Sequence, residues 1–483
     1  MWLCGRRGWA GRVAAGVVAC AAVPFVPLLA RGETLESALV QAYINNPSLN
    51  SQRAAVRVTD ENVPQALSGY RPKVSLTGTG GQQSLSSTSR VVSPNLPANV
   101  SPNTPATYAI QSGYNTPASL GATITQTLFN GFQTANKTRQ AESQVQAARA
   151  TLRVTEQTVL LNAATAYMNL LRDTAILDLQ RRNVEVLQEQ LRQTRDRFNV
   201  GEVTRTDVAQ SESRLAAGRS QVLSAEATYK ASAATYRQVI GVDPGKLTAG
   251  TPVDRFSPPN LPAAVGLATV VHPAISTAQF NVDAATQAVK VAEASLYPTV
   301  SVTGQYTKNY EVLGSLNTIE NYQASVLGTL SIPIYQGGAE YSLIRQSKET
   351  LGQRRLDLDV ARDQVRQTTV QAWGQLDAAK SNVDSTQAQV QAAEIALNGV
   401  REEARVGQRT TLDVLNAQQE LVNARVSLVG AQRDRVVASY TLLAAVGRLA
   451  PEVLGLRVPV YQPQIHYEQV RDNWVGLRTP DGR

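Results

Sequence analysis

The side chains that most often carry catalysis or bind metals are scarce in this chain. Only two histidines occur in 483 residues, and both cysteines, Cys4 and Cys20, lie near the N-terminus. His272 aligns with Asn46 in an internal repeat, which favours a capping or turn role, and His466 stands alone near the C-terminus. The sequence contains no Ser/His/Asp set, metal-ligand cluster or phosphate-binding loop. It therefore predicts neither an enzyme nor a cofactor or metal site.

Charged residues with a repeated spacing occur instead in two matched segments. The first contains Gly201 and Asp207, and the second contains Gly407 and Asp413. In each segment a glycine that can adopt the left-handed conformation closes one helical pattern, and the aspartate opens the next. Each segment is therefore predicted to be the tip of a helical hairpin.

The two tips belong to a longer duplication. Gly201 and Gly407 lie 206 residues apart, and the same offset relates Phe129 to Tyr335. At the first strand of each repeat the offset is 226, and it falls to 206 at the returning strand because the loop between the two strands is 20 residues shorter in the second repeat. We therefore expect a duplicated helix-strand-strand-helix unit.

The N-terminus is typical of a secreted protein. Three arginines precede an apolar run, which predicts a secretory leader cleaved near Ala30. A lipoprotein cleavage site at Cys20 is the alternative. Loss of the three arginines lowers the net charge from +8 to +5, and the remaining charge forms no basic block. This pattern argues against nucleic acid as a partner.

Apolar periodicity and turn residues divide the chain into segments. Alternation predicts strands at about 72–82, 119–129, 298–308 and 322–335, and heptad spacing predicts long helices at about 132–198 and 339–405. Residues 82–118 lack any period and are expected to form a loop. The expected domains are a signal peptide at 1–30, a first repeat at 31–241, a linker or equatorial region at 242–262, a second repeat at 263–447, and a C-terminal tail or equatorial region at 448–483.

After the leader, no stretch reaches the eighteen or so uninterrupted apolar residues of a spanning helix, so any membrane insertion must use strands. Four strands cannot close on themselves, and three copies of the chain would supply twelve. The fold class expected from the residues is mainly α with a β-barrel part, in which three copies give twelve strands and about twelve helical rods.

Aromatic residues lie at the helix-side ends of the predicted strands. An interfacial girdle in lipid would place such residues there, and so would ordinary packing between strand and helix. The four residues are Tyr70, Phe129, Tyr297 and Tyr335.

The duplicated unit, the two tips and the turns at Asn130-Gly131 and Gly337-Gly338 resemble the TolC outer-membrane efflux family over nearly the whole mature chain. The resemblance implies a homotrimeric channel-tunnel, in which a 12-stranded outer-membrane β-barrel continues into a periplasmic α-helical coiled-coil barrel. It also implies partnership with outer-membrane lipid, a periplasmic adaptor and an inner-membrane transporter. The expected function is export of drugs, other small molecules or proteins, including type I secretion.

The resemblance also assigns roles at the tips. Thr206 and Asp207 match the partners of a periplasmic lock, and Arg409 matches the arginine that binds them. Asp413 matches an aspartate of a cation-attracting ring at the entrance.

Two positions depart from the family pattern. Ala404 replaces a lock tyrosine and Asn416 replaces a second entrance aspartate, which implies a looser lock and a single carboxylate layer. The residues alone leave a plainer reading open. Asp207 and Asp413 then only favour helix N-termini, by about 0.3–1 kcal/mol in general, and Arg409 is a solvated tip residue.

A trimeric coiled-coil adhesin or periplasmic spacer without channel activity is the competing class. Such proteins share the heptads and the leader. They do not account for the two strand pairs inserted between the helices.

Overall fold

The computed structural model describes residues 33–90, 108–310, 320–480 and 482. The predicted leader, with the alternative lipidation site at Cys20, lies outside the described residues. The described chain alternates helices and strands in two successive units. In chain order these are α1 (Leu35–Asn45), α2 (Pro47–Asp60), α3 (Asn62–Leu67), β1 (Lys73–Gly80), β2 (Gln83–Arg90), β3 (Tyr108–Asn115), β4 (Ala118–Asn130), α4 (Gln133–Asn199), α5 (Arg205–Ile240), α6 (Leu261–Val271), α7 (Pro273–Glu293), β5 (Thr299–Tyr310), β6 (Glu320–Ser331), α8 (Ala339–Arg405), α9 (Thr411–Ala445), α10 (Pro451–Leu454) and α11 (Pro463–Val470).

The kinked helical segment of each unit restarts with the same local device. Both α2 and α7 begin with a proline, whose missing N–H would have no partner in the first turn. The side chain before it caps the helix: Asn46 accepts the N–H groups of Ser48 and Leu49, and Nδ1 of His272 accepts the N–H of Ala274 at 3.2 Å. The capping role predicted for His272 is confirmed.

Four strands form one antiparallel sheet in the order β1-β4-β5-β6. The pairing is continuous except for an irregularity between Thr127 and Phe129 in β4. The sheet starts and ends with β1 and β6, so each of these strands has one backbone edge without a partner strand in the described chain. The protomer therefore carries an open sheet.

The two faces of this sheet differ in polarity. One face carries mainly apolar and small residues, for example Leu76 opposite Ala122. The other carries mainly Ser, Thr and Gln, for example Thr123 opposite Gln305. Leu76 is 72% exposed and Val326 on the same apolar face is 78% exposed. The protomer leaves its apolar sheet face uncovered.

The expectation of a loop over 82–118 is wrong for much of that range. β2 and β3 pair as a separate antiparallel two-stranded sheet. Their pairing continues the register of β1 and β4, since Gly80 pairs with Ala118 and Gln83 with Asn115. β2 consists mainly of Ser, Thr and Gln and has no apolar period, and backbone hydrogen bonds hold its ladder. In β3, Tyr108, Ile110 and Tyr114 stand at alternating positions, a short strand signal that the sequence analysis missed.

The two long helices, α4 and α8, each contain 67 residues. On α4, buried Ala163, Leu170, Leu177 and Leu191 recur at multiples of seven positions, which is the spacing of a coiled-coil seam. α4 packs against α5 towards the tip and against α2 and α7 towards the sheet, while α8 packs against α9, α6 and α7. Short helices thus line both long helices.

The largest apolar core lies where α1, α4, α5 and α9 meet. Tyr43, Tyr167 and Tyr236 are fully buried there. The hydroxyl of Tyr167 lies 2.7 Å from the carbonyl oxygen of Glu33 and 2.6 Å from that of Thr248. This contact ties the start of the described chain to the linker after α5.

Within the described residues, the helical stretch Leu261–Leu296 is long and apolar enough to cross a membrane by length and composition. It is interrupted at His272, and its parts α6 and α7 pack along α8 and α4. These contacts make it part of the helical bundle.

Candidate functional site at the helical tips

A glycine turn ends each long helix at its tip. Gly201 has a φ of +82°, and its N–H donates to the carbonyl of Phe198 at 3.0 Å. The N–H of Glu202 donates to the carbonyl of Arg197 at 2.9 Å. Gly407, with a φ of +80°, makes the same turn at the second tip. The left-handed glycine lets the chain satisfy carbonyls that the helix end leaves open.

A reciprocal cap then starts the returning helix at each tip. The carboxylate of Asp207 accepts the N–H of Thr204 at 2.9 Å and its hydroxyl at 2.7 Å, while the hydroxyl accepts the N–H of Asp207 at 3.4 Å. Thr410 and Asp413 form the same arrangement, with distances of 3.0, 2.9 and 3.3 Å. Two backbone donors at each tip are satisfied in this way.

These caps also set the charge of the two aspartates. Hydrogen bonds from the hydroxyl and then the backbone of Thr204 hold the pKa of Asp207 below its ordinary value of 3.8. The backbone and then the hydroxyl of Thr410 lower the pKa of Asp413 in the same way. Both carboxylates are therefore anionic at neutral pH.

Within one protomer, Arg409 does not contact Asp207. Its Nε donates to the carboxylate of Glu403 at 2.9 Å, and this hydrogen bond raises the pKa of Arg409. Thr206 is exposed in the first turn of α5. A lock between Arg409 and the Thr206/Asp207 pair thus requires a second protomer or release of Glu403, and it stays a prediction.

The two tips nevertheless share one open cleft of about 870 Å³. Thr204 and Asp207 line it from the first tip, and Arg409 and Thr410 line it from the second. Its walls carry both signs of charge. The cleft brings Asp207 and Arg409 to a common space without joining them, and Thr206 does not line it.

Two further contacts at the tips were not expected from the sequence. Arg214 on α5 donates to the side-chain oxygen of Asn416 on α9 at 2.7 Å. Leu215 and Leu415 belong to one buried cluster beside this pair. Asn416, the position that departs from the family pattern, thus fastens the two hairpins together. The contact joins non-equivalent positions of the two repeats, so repeat alignment carries no signal for it.

The aromatic residues at the base of the sheet are mostly open to the surroundings. Tyr70 is 53% exposed, Tyr297 51% and Tyr335 75%. Phe129 is half-buried, and its ring meets that of Phe132 edge to face at 5.4 Å between centroids. Exposed rings at this level suit an interfacial girdle, which stays a prediction.

Phe132 is a member of this aromatic set that the sequence analysis missed. It adopts a φ of +63°, and among the described residues no other non-glycine residue has a positive φ. The equivalent residue of the second repeat is Gly338, with a φ of +85°. The repeat alignment could have identified Phe132, because it matches this phenylalanine with Gly338, a residue type suited to the left-handed turn.

The histidines and acidic residues of the described chain do not form a metal site. No group of three or more His, Cys, Asp or Glu within these residues could hold an ion. The sequence suggested that His466 stands alone, but its Nδ1 lies 3.0 Å from Oδ2 of the buried Asp60.

Comparison with known proteins adds a consistent set of similarities. The model of the family described as "Outer membrane efflux protein" matches residues 38–242 and 264–448. The chain is 43% identical over 454 residues to the outer membrane efflux protein BepC of Brucella suis biovar 1, covering 94% of each chain. It is 26% identical over 453 residues to the outer membrane protein TolC of Escherichia coli K12, covering 90% of this chain and 86% of TolC.

The fold is similar to that of a solved outer-membrane channel. The crystal structure of the Campylobacter jejuni CmeC outer membrane channel superimposes with a TM-score of 0.73 at 16% sequence identity. The match covers 91% of this chain and 89% of that one.

Proposed function

The chain belongs to the outer membrane efflux protein family, and from that premise we propose that three copies form one channel-tunnel whose periplasmic end is opened by a docking partner. The protein itself is an outer-membrane efflux channel with a helical tunnel and a barrel part. Its family is one of transport channels rather than enzymes. An adhesin or spacer is not favoured, because the relatives are efflux proteins.

The two-faced open sheet is the observation that carries the trimer. An apolar face suits lipid, and a Ser/Thr-rich face suits a water-filled lumen. The free edges of β1 and β6 would leave several backbone groups unpaired in hydrocarbon, at a cost on the order of tens of kcal/mol. Pairing β6 of one protomer with β1 of the next removes this cost. Three copies give twelve strands, an even number in the range of known barrels.

The helical layer supports the same assembly. α8 leaves large apolar side chains uncovered, among them Leu356 at 67%, Val360 at 67% and Ile395 at 73% exposure. α4, which has helices on both sides, buries most of its apolar seam. The difference fits an α8 surface that packs on a neighbouring protomer.

The tips supply a candidate gate. In the closed state, Arg409 of one protomer exchanges Glu403 for Thr206 and Asp207 of the neighbouring protomer. Asp413, repeated three times around the axis, forms a ring of carboxylates that attracts cations at the entrance. A periplasmic adaptor that binds the open tips better than the closed ones shifts this equilibrium, and an inner-membrane transporter delivers the cargo.

Disulfide trapping tests the trimer, and the predicted mature chain has no cysteine of its own. Thr77→Cys on β1 is combined in turn with Gln323→Cys and Ser325→Cys on β6, which lie on the same polar face. Oxidation should give covalent dimers and trimers and nothing larger. Thr123→Cys with Gln305→Cys is the matched control, because those residues pair within one chain and should give only monomers. Covalent oligomers larger than three copies, or no covalent oligomers with either β1–β6 cysteine pair, would refute the closed trimer.

Conductance and labelling test the channel and its orientation. Purified trimers in a planar bilayer should show long-lived single-channel steps, and a bilayer without steps contradicts the channel.

The β2–β3 hairpin is proposed to face the cell exterior. A membrane-impermeant maleimide should therefore label Ser86→Cys on intact cells and leave Gln408→Cys at the tip unlabelled. The opposite pattern inverts the topology.

A further inference from the structure

The C-terminal tail, residues 448–480, follows α2 and α3 towards the base of the sheet. Arginines from α2, α4 and the turn before β1 stack on successive aromatic rings of the tail. The three contacts, measured from guanidinium carbon to ring centroid, are Arg53 with Tyr461 at 5.4 Å, Arg149 with Tyr467 at 5.1 Å, and Arg71 with Trp474 at 4.8 Å.

The middle of the tail is firmly held. His466 on α11 pairs with Asp60 of α2, whose side chain is fully buried. Val470 at the end of α11 is only 2% exposed. Tyr467 packs against an apolar cluster that includes Val63 and Val145. The direction in which the tail leaves α11 is therefore fixed by the fold.

Beyond α11 the tail changes character. Trp474 is 67% exposed, Val475 93%, and Leu477 fully exposed. We call residues 474–477 the terminal apolar segment. Arg478 follows it directly, and Arg471 precedes it, separated from it by Asp472 and Asn473. Three exposed apolar side chains in so short a stretch, with an arginine near each end, are typical of a segment at a membrane surface.

The position of this segment in the fold agrees with that composition. Arg71, which stacks on Trp474, also donates from its guanidinium to the carbonyl of Asn473 at 2.7 Å. Arg71 lies two residues before the start of β1, next to the exposed ring of Tyr70. The terminal apolar segment thus lies at the helix-side end of the sheet and continues the uncovered apolar surface there.

We propose that the terminal apolar segment is a lipid anchor that inserts Trp474, Val475 and Leu477 into the periplasmic leaflet of the outer membrane. The indole ring lies at the boundary between headgroups and acyl chains, where an amphipathic ring is favoured. Arg471 and Arg478 bind phospholipid phosphates from either side of it. The proposal rests on the proposed placement of the four-stranded sheet in lipid.

Tryptophan fluorescence tests the anchor in the full-length channel. Of the four tryptophans, Trp2 and Trp9 fall in the predicted leader, so the mature chain retains Trp373 and Trp474. Trp373→Phe leaves Trp474 as the reporter, in trimers reconstituted into phosphatidylethanolamine and phosphatidylglycerol vesicles. Replacing part of the lipid with phospholipid brominated near the headgroup end should at least roughly halve its emission. Arg71→Ala, which releases the ring, should reduce this quenching.

Two matched reporters make the result decisive. Trp474→Phe leaves Trp373, which lies in α8 about 50 Å of helix away from the sheet and should not be quenched. Tyr306→Trp in the chain lacking both native tryptophans reports the apolar sheet face. Quenching of the Tyr306→Trp variant without quenching of Trp474 overturns the anchor alone, and shows that the segment is covered by protein or solvent. Absence of quenching in both overturns the membrane placement of the sheet as well.

Discussion

Asp207 has two candidate roles, as part of the cap of α5 and as the partner of Arg409 in the lock, and substitutions at Thr204 and Asp207 separate them. Thr204→Ala removes the hydroxyl that caps α5 and leaves the Asp207 carboxylate in place. Asp207→Asn keeps a side-chain oxygen that accepts the N–H of Thr204, and removes the charge. The two variants therefore distinguish a helix cap from a lock residue.

The expected magnitudes follow from the contacts at the tip. Loss of an N-cap hydroxyl costs about 1 kcal/mol, or about 3 kcal/mol over three independent tips. Loss of a carboxylate at a helix N-terminus costs about 0.3–1 kcal/mol per tip. Reversing a two-state gate from 1:99 to 99:1 needs about 5.5 kcal/mol, so neither loss alone opens every channel. If Asp207 is only a cap, Thr204→Ala has the larger effect.

A role in the lock predicts the opposite order. Asp207→Asn should raise the resting open fraction of single trimers in a planar bilayer severalfold, because it removes the charge that Arg409 of the neighbouring protomer binds. Thr204→Ala should leave that fraction nearly unchanged. Hydrogen exchange at the first amides of α5 should show the reverse, with faster exchange in Thr204→Ala.

The comparison has a clear refuting result. Equal or larger conductance in Thr204→Ala than in Asp207→Asn, with trimers intact in both, would show that capping explains Asp207 without a lock. Thr410→Ala is the matched control at the second tip, since it breaks the same type of cap beside an aspartate that is not assigned to the lock.

Three further outcomes test the site and the fold. Arg409→Ser should raise resting conductance, whereas Glu403→Gln should lower it, because it frees the Arg409 guanidinium to bind the neighbouring tip. Equal effects of the two variants on single-channel conductance would contradict the proposed exchange of partners by Arg409. Asp413→Asn should reduce the cation preference measured by reversal potentials. In the wild type the preference should fall as acid protonates the ring: hydrogen bonds from Thr410 lower the pKa of each carboxylate, and repulsion between the three carboxylates raises it. A preference that is the same in Asp413→Asn as in the wild type would argue against the ring. Gly131→Ala should lower the thermal stability of the trimer by about 1–3 kcal/mol, because the new Cβ would lie 2.6 Å from that of Tyr297. Gly337→Ala, with no neighbour within 4 Å, should cost only about 1 kcal/mol of left-handed strain. Equal losses in calorimetry would show that the contact between residue 131 and Tyr297 does not limit stability.

The tips, the helix caps and the coiled-coil seam can be predicted from residues that are close together in the sequence. The offset of 206 residues between Gly201 and Gly407 places both tips, and the structure has glycine turns and reciprocal caps at each. Seven-residue spacing marks the buried seam of α4. Such features are readable because a helix end, a cap and a seam each depend on residues within a few positions of one another.

The tertiary structure alone decided which distant groups meet. Arg214 on one hairpin binds Asn416 on the other, 202 positions away, whereas Arg409 and Asp207 do not meet within the protomer and Arg409 binds Glu403, six positions before it. Distance along the chain carries no information about such partners, because charged and amide side chains pair with whatever the packed backbones bring within reach.

The same reason applies at the opposite end of the protomer. Periodicity predicts four strands, yet only the backbone ladder shows β4 pairing with β5 across the two repeats and a further hairpin beyond β1. His466 reads as an isolated residue until the tail folds back to Asp60, 406 positions earlier in the chain. The sequence by itself determined the long helices, the four strands of the larger sheet and the turns at the tips. The β2–β3 pairing, the sheet order, the Arg214–Asn416 contact and the course of the tail arise from long-range packing, since only packing brings those groups together.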